Sequence, residues 1–125
     1  MTILVIDDEE DVLKATTRYL KDAGFDVYGS LGGEKGVEDY RELVPFNKRF
    51  DCVITDYNMY DMDGVHVALA IRKIEPKQKI IIFTNSSTLA QTFHIYGLNG
   101  VKIVDKGKGA GTLLTELCAL LVELQ

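Results

Sequence analysis

Short apolar runs alternate with stretches of helical period along the chain, five times over. Residues 3–6 read as a strand buried on both faces, since all four are large and aliphatic. Residues 10–23 set Val12, Thr16, Tyr19, Leu20 and Ala23 on one helical stripe, with Gly24 as the stop. A short second strand is predicted over 25–29, then a helix over 34–44 with Val37, Tyr40 and Val44 turned inward. The polar segment 45–49 leads to a third strand over 50–55. A loop holding 57–63 precedes a helix over 64–74, which Pro76 closes. The fourth strand covers 79–83, and its Ile80-Ile81-Ile82-Phe83 run suits a central position in a sheet. A helix over 86–96 (Leu89, Phe93, Tyr96), a fifth strand over 101–104 and a last helix over 110–124 complete the series. This (βα)5 alternation predicts an α/β domain: a doubly wound, five-stranded parallel sheet in the order 2-1-3-4-5, covered by helices on both faces.

Length and charge narrow the setting. The 125 residues suit one domain spanning the whole chain. A net charge of −5 argues against direct nucleic-acid binding and against anionic membranes, both of which need a basic face. The longest apolar run, 117–122, falls far short of the roughly 18 residues of a membrane span. The start of the chain has no basic region of the kind a signal peptide carries, so a cytoplasmic protein is expected. Cys52 and Cys118 both lie among apolar neighbours and read as small buried hydrophobes in a reducing compartment.

In a sheet of this order, ligands bind beyond the carboxyl ends of the strands, where strands 1 and 3 diverge. Asp7 and Asp8 follow strand 1, Asp56 ends strand 3, Thr84 ends strand 4 and Lys106 follows strand 5. Each alone has a plainer reading as a turn former, a helix cap or a solvated lysine. Together they place three carboxylates, a hydroxyl and an ammonium on one rim. Clustered carboxylates repel unless a cation neutralises them, and an all-oxygen site with open positions suits Mg²⁺. A carboxylate can also act as a nucleophile, and phosphoryl transfer needs mainly positioning and charge neutralisation.

These residues, with Asp56-Tyr57-Asn58-Met59, Met62-Asp63-Gly64 and Val104-Asp105-Lys106, resemble the receiver domain of two-component response regulators, whose fold is flavodoxin-like. The resemblance covers the whole chain. It implies that Asp56 is the phosphoacceptor, taking its group from the phosphohistidine of a sensor histidine kinase or a phosphotransfer protein. It implies further that Asp7, Asp8, Asp56 and the backbone carbonyl of Asn58 hold Mg²⁺, and that Thr84 and Lys106 bind the phosphoryl group. Self-dephosphorylation would be slow. The output would be a face made by the helix over 86–96, the fifth strand and the last helix, open to a downstream protein, an output domain or a second copy in a homodimer. Four positions depart from the family pattern: Tyr60 and Gly107 stand for prolines, Asn85 for a small residue and Ile103 for an aromatic one.

Other readings are weaker. A haloacid-dehalogenase-type phosphatase needs a second aspartate where Asn58 stands, and a flavin protein needs a hydroxyl-rich loop where Asp7 and Asp8 stand. The segment 107–111 lacks phosphate-loop spacing and reads as a flexible lead into the last helix. His66 and His94 read as surface or rim residues. The alternative that stays open is an interaction module of the same fold that signals without phosphorylation.

Overall fold

The computed structural model describes residues 1–46, 49–85 and 97–122. The expected helix over 86–96, with Ser86, Leu89, Phe93, His94 and Tyr96, lies outside the described residues, as does Leu124. Five strands form one parallel sheet: β1 (Thr2–Asp7), β2 (Asp26–Leu31), β3 (Cys52–Asp56), β4 (Ile80–Thr84) and β5 (Lys102–Asp105). Their order is β2-β1-β3-β4-β5, as the alternation of runs predicts. The four α-helices among the described residues are α1 (Glu10–Asp22), α2 (Gly33–Leu43), α3 (Gly64–Ile74) and α4 (Ala110–Val122).

The apolar runs bury both faces of the sheet because alternate side chains point to opposite sides. Leu4, Ile6, Val53, Ile80 and Ile82 face α2 and α3, where they meet Val37, Tyr40, Val65, Ala68 and Ile71. Ile3, Val5, Cys52, Ile54, Ile81 and Phe83 face the other way, against Leu20 of α1 and Leu113, Leu117, Leu120 and Leu121 of α4. Full burial of one such aliphatic side chain contributes about 1.5–3 kcal/mol, so these two layers dominate stability. Gly36 of α2 lies against the side chain of Ile6, where a Cβ would collide with it.

Some boundaries and orientations differ from the sequence expectation. Strand β2 begins at Asp26 and continues to Leu31, two residues past Gly29, because each residue through Leu31 finds a partner on β1. The stripe of α1 is rotated: Tyr19 and Ala23 are exposed, and Leu13, Thr17 and Leu20 face the sheet. Gly24 does stop α1, with a positive φ of 101° and its N–H donating to the Lys21 carbonyl. Cys52 is buried, whereas Cys118 is exposed on the outer side of α4, which corrects the expectation for that residue. The leucines of α4 turn inward, and its outer surface carries small residues such as Gly111, Thr115, Cys118 and Ala119. The segment before α4 is a 3-10 turn (Lys106–Lys108) capped by Asp105, whose Oδ1 accepts the Gly107 N–H at 2.8 Å. Among the described residues no helix is long and apolar enough to cross a membrane.

Candidate functional site

The strand register brings the acids together. Ile6 pairs with Thr55, so one step on, Asp7 and Asp56 leave the adjacent strands β1 and β3 side by side. Asp8 follows at once in the β1–α1 connection. One carboxylate oxygen from each of Asp7, Asp8 and Asp56 lies within 4.8 Å of the other two. Thr84 closes β4 on the same rim and is fully buried, paired in register with Asp105 of β5. Lys106, next in the chain, reaches back across the rim. Its Nζ lies 3.1 Å from Asp56 Oδ1 and 3.4 Å from Asp7 Oδ2, and 5.7 Å from the centre of the Phe83 ring.

The carboxylates are held rather than loose. Asp7 Oδ1 accepts the Glu9 N–H at 3.0 Å, and Asp56 Oδ1 accepts the Tyr57 N–H at 2.8 Å. Asp8 Oδ2 accepts the Tyr60 N–H at 2.7 Å. Asp8 therefore does not cap α1; Glu9 occupies the cap position without a side-chain hydrogen bond. Burial pushes the Asp56 carboxyl above the usual carboxylate range, and the Asp7 charge adds to that push against the pull of Lys106. Burial works to lower the Lys106 ammonium, but its bonds to Asp56 and Asp7 outweigh it and the net shift is upward. Among the described residues, one cation thus faces three acids. That imbalance, with oxygen donors at this spacing, fits a small hard divalent cation.

The backbone at Asp56 is packed from below by Gly64. The Gly64 N–H donates to the Tyr57 carbonyl at 2.8 Å, and a Cβ at this position would sit 2.5 Å from the Asp56 carbonyl oxygen. Asp63 caps α3 by accepting the His66 N–H at 2.9 Å, and its Oδ1 also meets His66 Nδ1 at 2.8 Å, which ties the exposed His66 to the surface. Asn58 is exposed within the 57–63 loop.

Two features of this rim escape a reading of the sequence alone. Asp61 caps α2 from across the chain, accepting the Gly33 N–H at 3.1 Å and the Glu34 N–H at 2.9 Å. The Tyr60 N–H contact to Asp8 joins residues 52 positions apart. Neither bond leaves a local signature; Gly32 at the cap position of α2 has no side chain to supply the cap, but nothing local names Asp61 as its replacement.

Comparison with known proteins agrees with this geometry. Residues 3–117 match the response regulator receiver domain family. The chain is similar to the transcriptional regulatory protein PrrA of Mycobacterium leprae, 30% identical over 87 residues, covering 70% of this chain and 35% of PrrA. It is also similar to the chemotaxis protein CheY of Thermotoga maritima, 33% identical over 81 residues, covering 64% of this chain and 63% of CheY. The matched stretch thus spans between about a third and two thirds of these curated relatives. Among solved structures, a receiver domain protein of Clostridium thermocellum superposes with a TM-score of 0.84 at 26% identity, covering 98% of this chain and 94% of that one. The response regulator TrrA of Thermotoga maritima, in complex with Mg²⁺ and BeF, superposes with a TM-score of 0.80 at 26% identity, covering 95% and 97%. The fold, the strand-end acids and the match over nearly the whole chain agree: this chain belongs to the response regulator receiver domain family of two-component signalling.

Proposed function

We propose that this domain is a phosphorylation switch in which Asp56 accepts a phosphoryl group from the phosphohistidine of a sensor histidine kinase or phosphotransfer protein. The observation that carries this reading is the cluster of Asp7, Asp8 and Asp56 oxygens within 4.8 Å, with Lys106 Nζ 3.1 Å from Asp56. Asp7, Asp8, Asp56 and the Asn58 carbonyl would hold Mg²⁺, which supplies charge neutralisation for the incoming phosphate. The TrrA complex with Mg²⁺ and BeF supports the same assignment by similarity.

The chain's own residues then divide the work. An Asp56 carboxylate oxygen attacks phosphorus, the phosphorus–nitrogen bond to the imidazole breaks, and its electron pair stays on that nitrogen, leaving an acyl phosphate. Lys106, already within reach of Asp56, offsets charge on the phosphoryl oxygens. Thr84 offers a hydroxyl from the end of β4. The output is a contact surface that includes β5 and α4, presented to a downstream protein, an output domain or a second copy. The domain acts on no outside substrate beyond accepting and slowly losing its own phosphoryl group.

The test is labelling with a small-molecule phosphodonor in the presence of Mg²⁺, read by intact-protein mass. Wild type should gain one phosphoryl group; Asp56→Asn, or wild type with Mg²⁺ chelated, should gain none. Labelling of Asp56→Asn at the wild-type rate would sink the proposal.

A further inference from the structure

We infer that the backbone N–H of Tyr60 is a positioning group for the metal site, holding the Asp8 carboxylate in place for a divalent cation. The inference rests on the reading of Asp7, Asp8 and Asp56 as a Mg²⁺ site and adds a residue to it.

Three observations support it. The Tyr60 N–H donates to Asp8 Oδ2 at 2.7 Å, a short bond for a backbone amide and a carboxylate. Asp8 makes this bond while its carboxylate sits within 4.8 Å of those of Asp7 and Asp56, so one side-chain arrangement serves the bond and the cluster together. Tyr60 as a residue is otherwise fully exposed, at 101%. The ring has no enclosing contact, and the contribution of this residue lies in its amide.

The bond does two things. It fixes the torsions of Asp8, which lies at the start of a connection and is only half-buried, so less freedom is lost when a cation binds. It also spreads the charge of one of three neighbouring carboxylates onto a neutral donor, which eases repulsion before the cation arrives. Both effects need an N–H at position 60. Proline, the residue that the family pattern places there, has none, so this chain holds Asp8 by a bond that proline at that position could not make. Partners of metal ligands of this kind commonly alter metal affinity by tenfold or more.

The experiment is an NMR titration of the full chain with Mg²⁺ alone, without phosphodonor, in wild type, Tyr60→Pro and Tyr60→Ala. Tyr60→Pro, which removes the N–H, should bind Mg²⁺ roughly tenfold more weakly, the low end expected because Asp8 is partly solvated. Tyr60→Ala keeps the N–H and should bind as wild type does. Hydrogen exchange at the Tyr60 amide in wild type decides the matter if Tyr60→Pro fails to fold. That amide should be protected both without and with saturating Mg²⁺, and Asp8→Ala should release it. Equal affinity in wild type and folded Tyr60→Pro overturns the inference, as does loss of Tyr60 protection on adding Mg²⁺ to wild type. If wild type itself binds no Mg²⁺, the metal reading falls and this inference falls with it.

Discussion

The two ends of the sheet solve opposite problems. At the amino end, Gln78 is buried and neutral, and its bonds are complete. Its Nε2 donates to the Phe50 carbonyl at 2.9 Å and the Lys79 carbonyl at 3.1 Å, and its Oε1 accepts the Tyr40 hydroxyl at 2.6 Å. Arg72 closes the network from α3, donating to the carbonyls of Gln78 and Asn99, both at 2.9 Å. Burial pushes the Tyr40 phenol up to about 12, so it stays a neutral donor across the physiological range. At the carboxyl end, among the described residues, three acids face one lysine, and burial disfavours the charged form of Asp56. A network whose donors and acceptors are all matched stabilises a fold, whereas an unbalanced cluster of like charges leaves free energy for a cation to recover. The contrast separates an end whose polar groups support the fold from the end proposed to respond to a phosphoryl group.

The largest effect expected is the complete loss of phosphoryl labelling in Asp56→Asn, with the fold intact by circular dichroism. The matching lesion at the other end is Gln78→Ala, which strands the Tyr40 hydroxyl and takes the side-chain donor from the Phe50 carbonyl, while the Lys79 carbonyl keeps the Val53 N–H. It should cost about 2–4 kcal/mol in urea unfolding while leaving Mg²⁺ affinity unchanged. A Gln78→Ala protein that is stable but no longer binds Mg²⁺ would break the division between the two ends. A smaller effect, of opposite sign, is expected back at the site. Because the folded Asp56 carboxyl lies above its ordinary 3.8, its protonated form favours folding, and that contribution is lost as pH rises through the raised value. Asp56→Asn mimics the protonated acid, so without Mg²⁺ it should melt a few degrees higher than wild type near neutrality, the gap narrowing in acid. Thermal scans across pH check this, and a lower melting point for Asp56→Asn at neutral pH would contradict it. The smallest effect concerns Asp61, which lies in the loop beside the acidic rim yet caps α2. Asp61→Ala should lose about 0.5–1 kcal/mol and still be labelled on Asp56.

What the sequence displayed, and what it hid, follows from the range of the forces involved. The aliphatic runs that became β1, β3 and β4 were legible because burial of both sheet faces demands them, and the bounds of α3, 64–74, were legible from the loop before it and Pro76 after it. The site acids were legible because topology carries strand ends to one rim whatever the details of packing. The stripe of α1 was misread because Tyr19 and Ala23 tolerate water as readily as burial, while Leu13 and Leu20 set the true face. Cys118 was misread for a related reason, since a leucine-rich helix still has an outer side. The bonds of Asp61 to α2 and of Tyr60 to Asp8 were hidden because each depends on a loop path that no local pattern encodes.

Gly64 carries one further consequence, and it is a matter of heredity. Any replacement brings a Cβ to within 2.5 Å of the Asp56 carbonyl oxygen, which forces the backbone at Asp56 or the start of α3 to shift. Every acid, the threonine and the lysine would remain in the gene, so such an allele would look intact to anyone scanning for the site residues. A genetic screen for alleles deaf to the incoming signal should therefore recover Gly64 substitutions alongside those at Asp56. If Gly64→Ala is recovered only among fully active alleles, the backbone at this point yields more easily than its close packing implies.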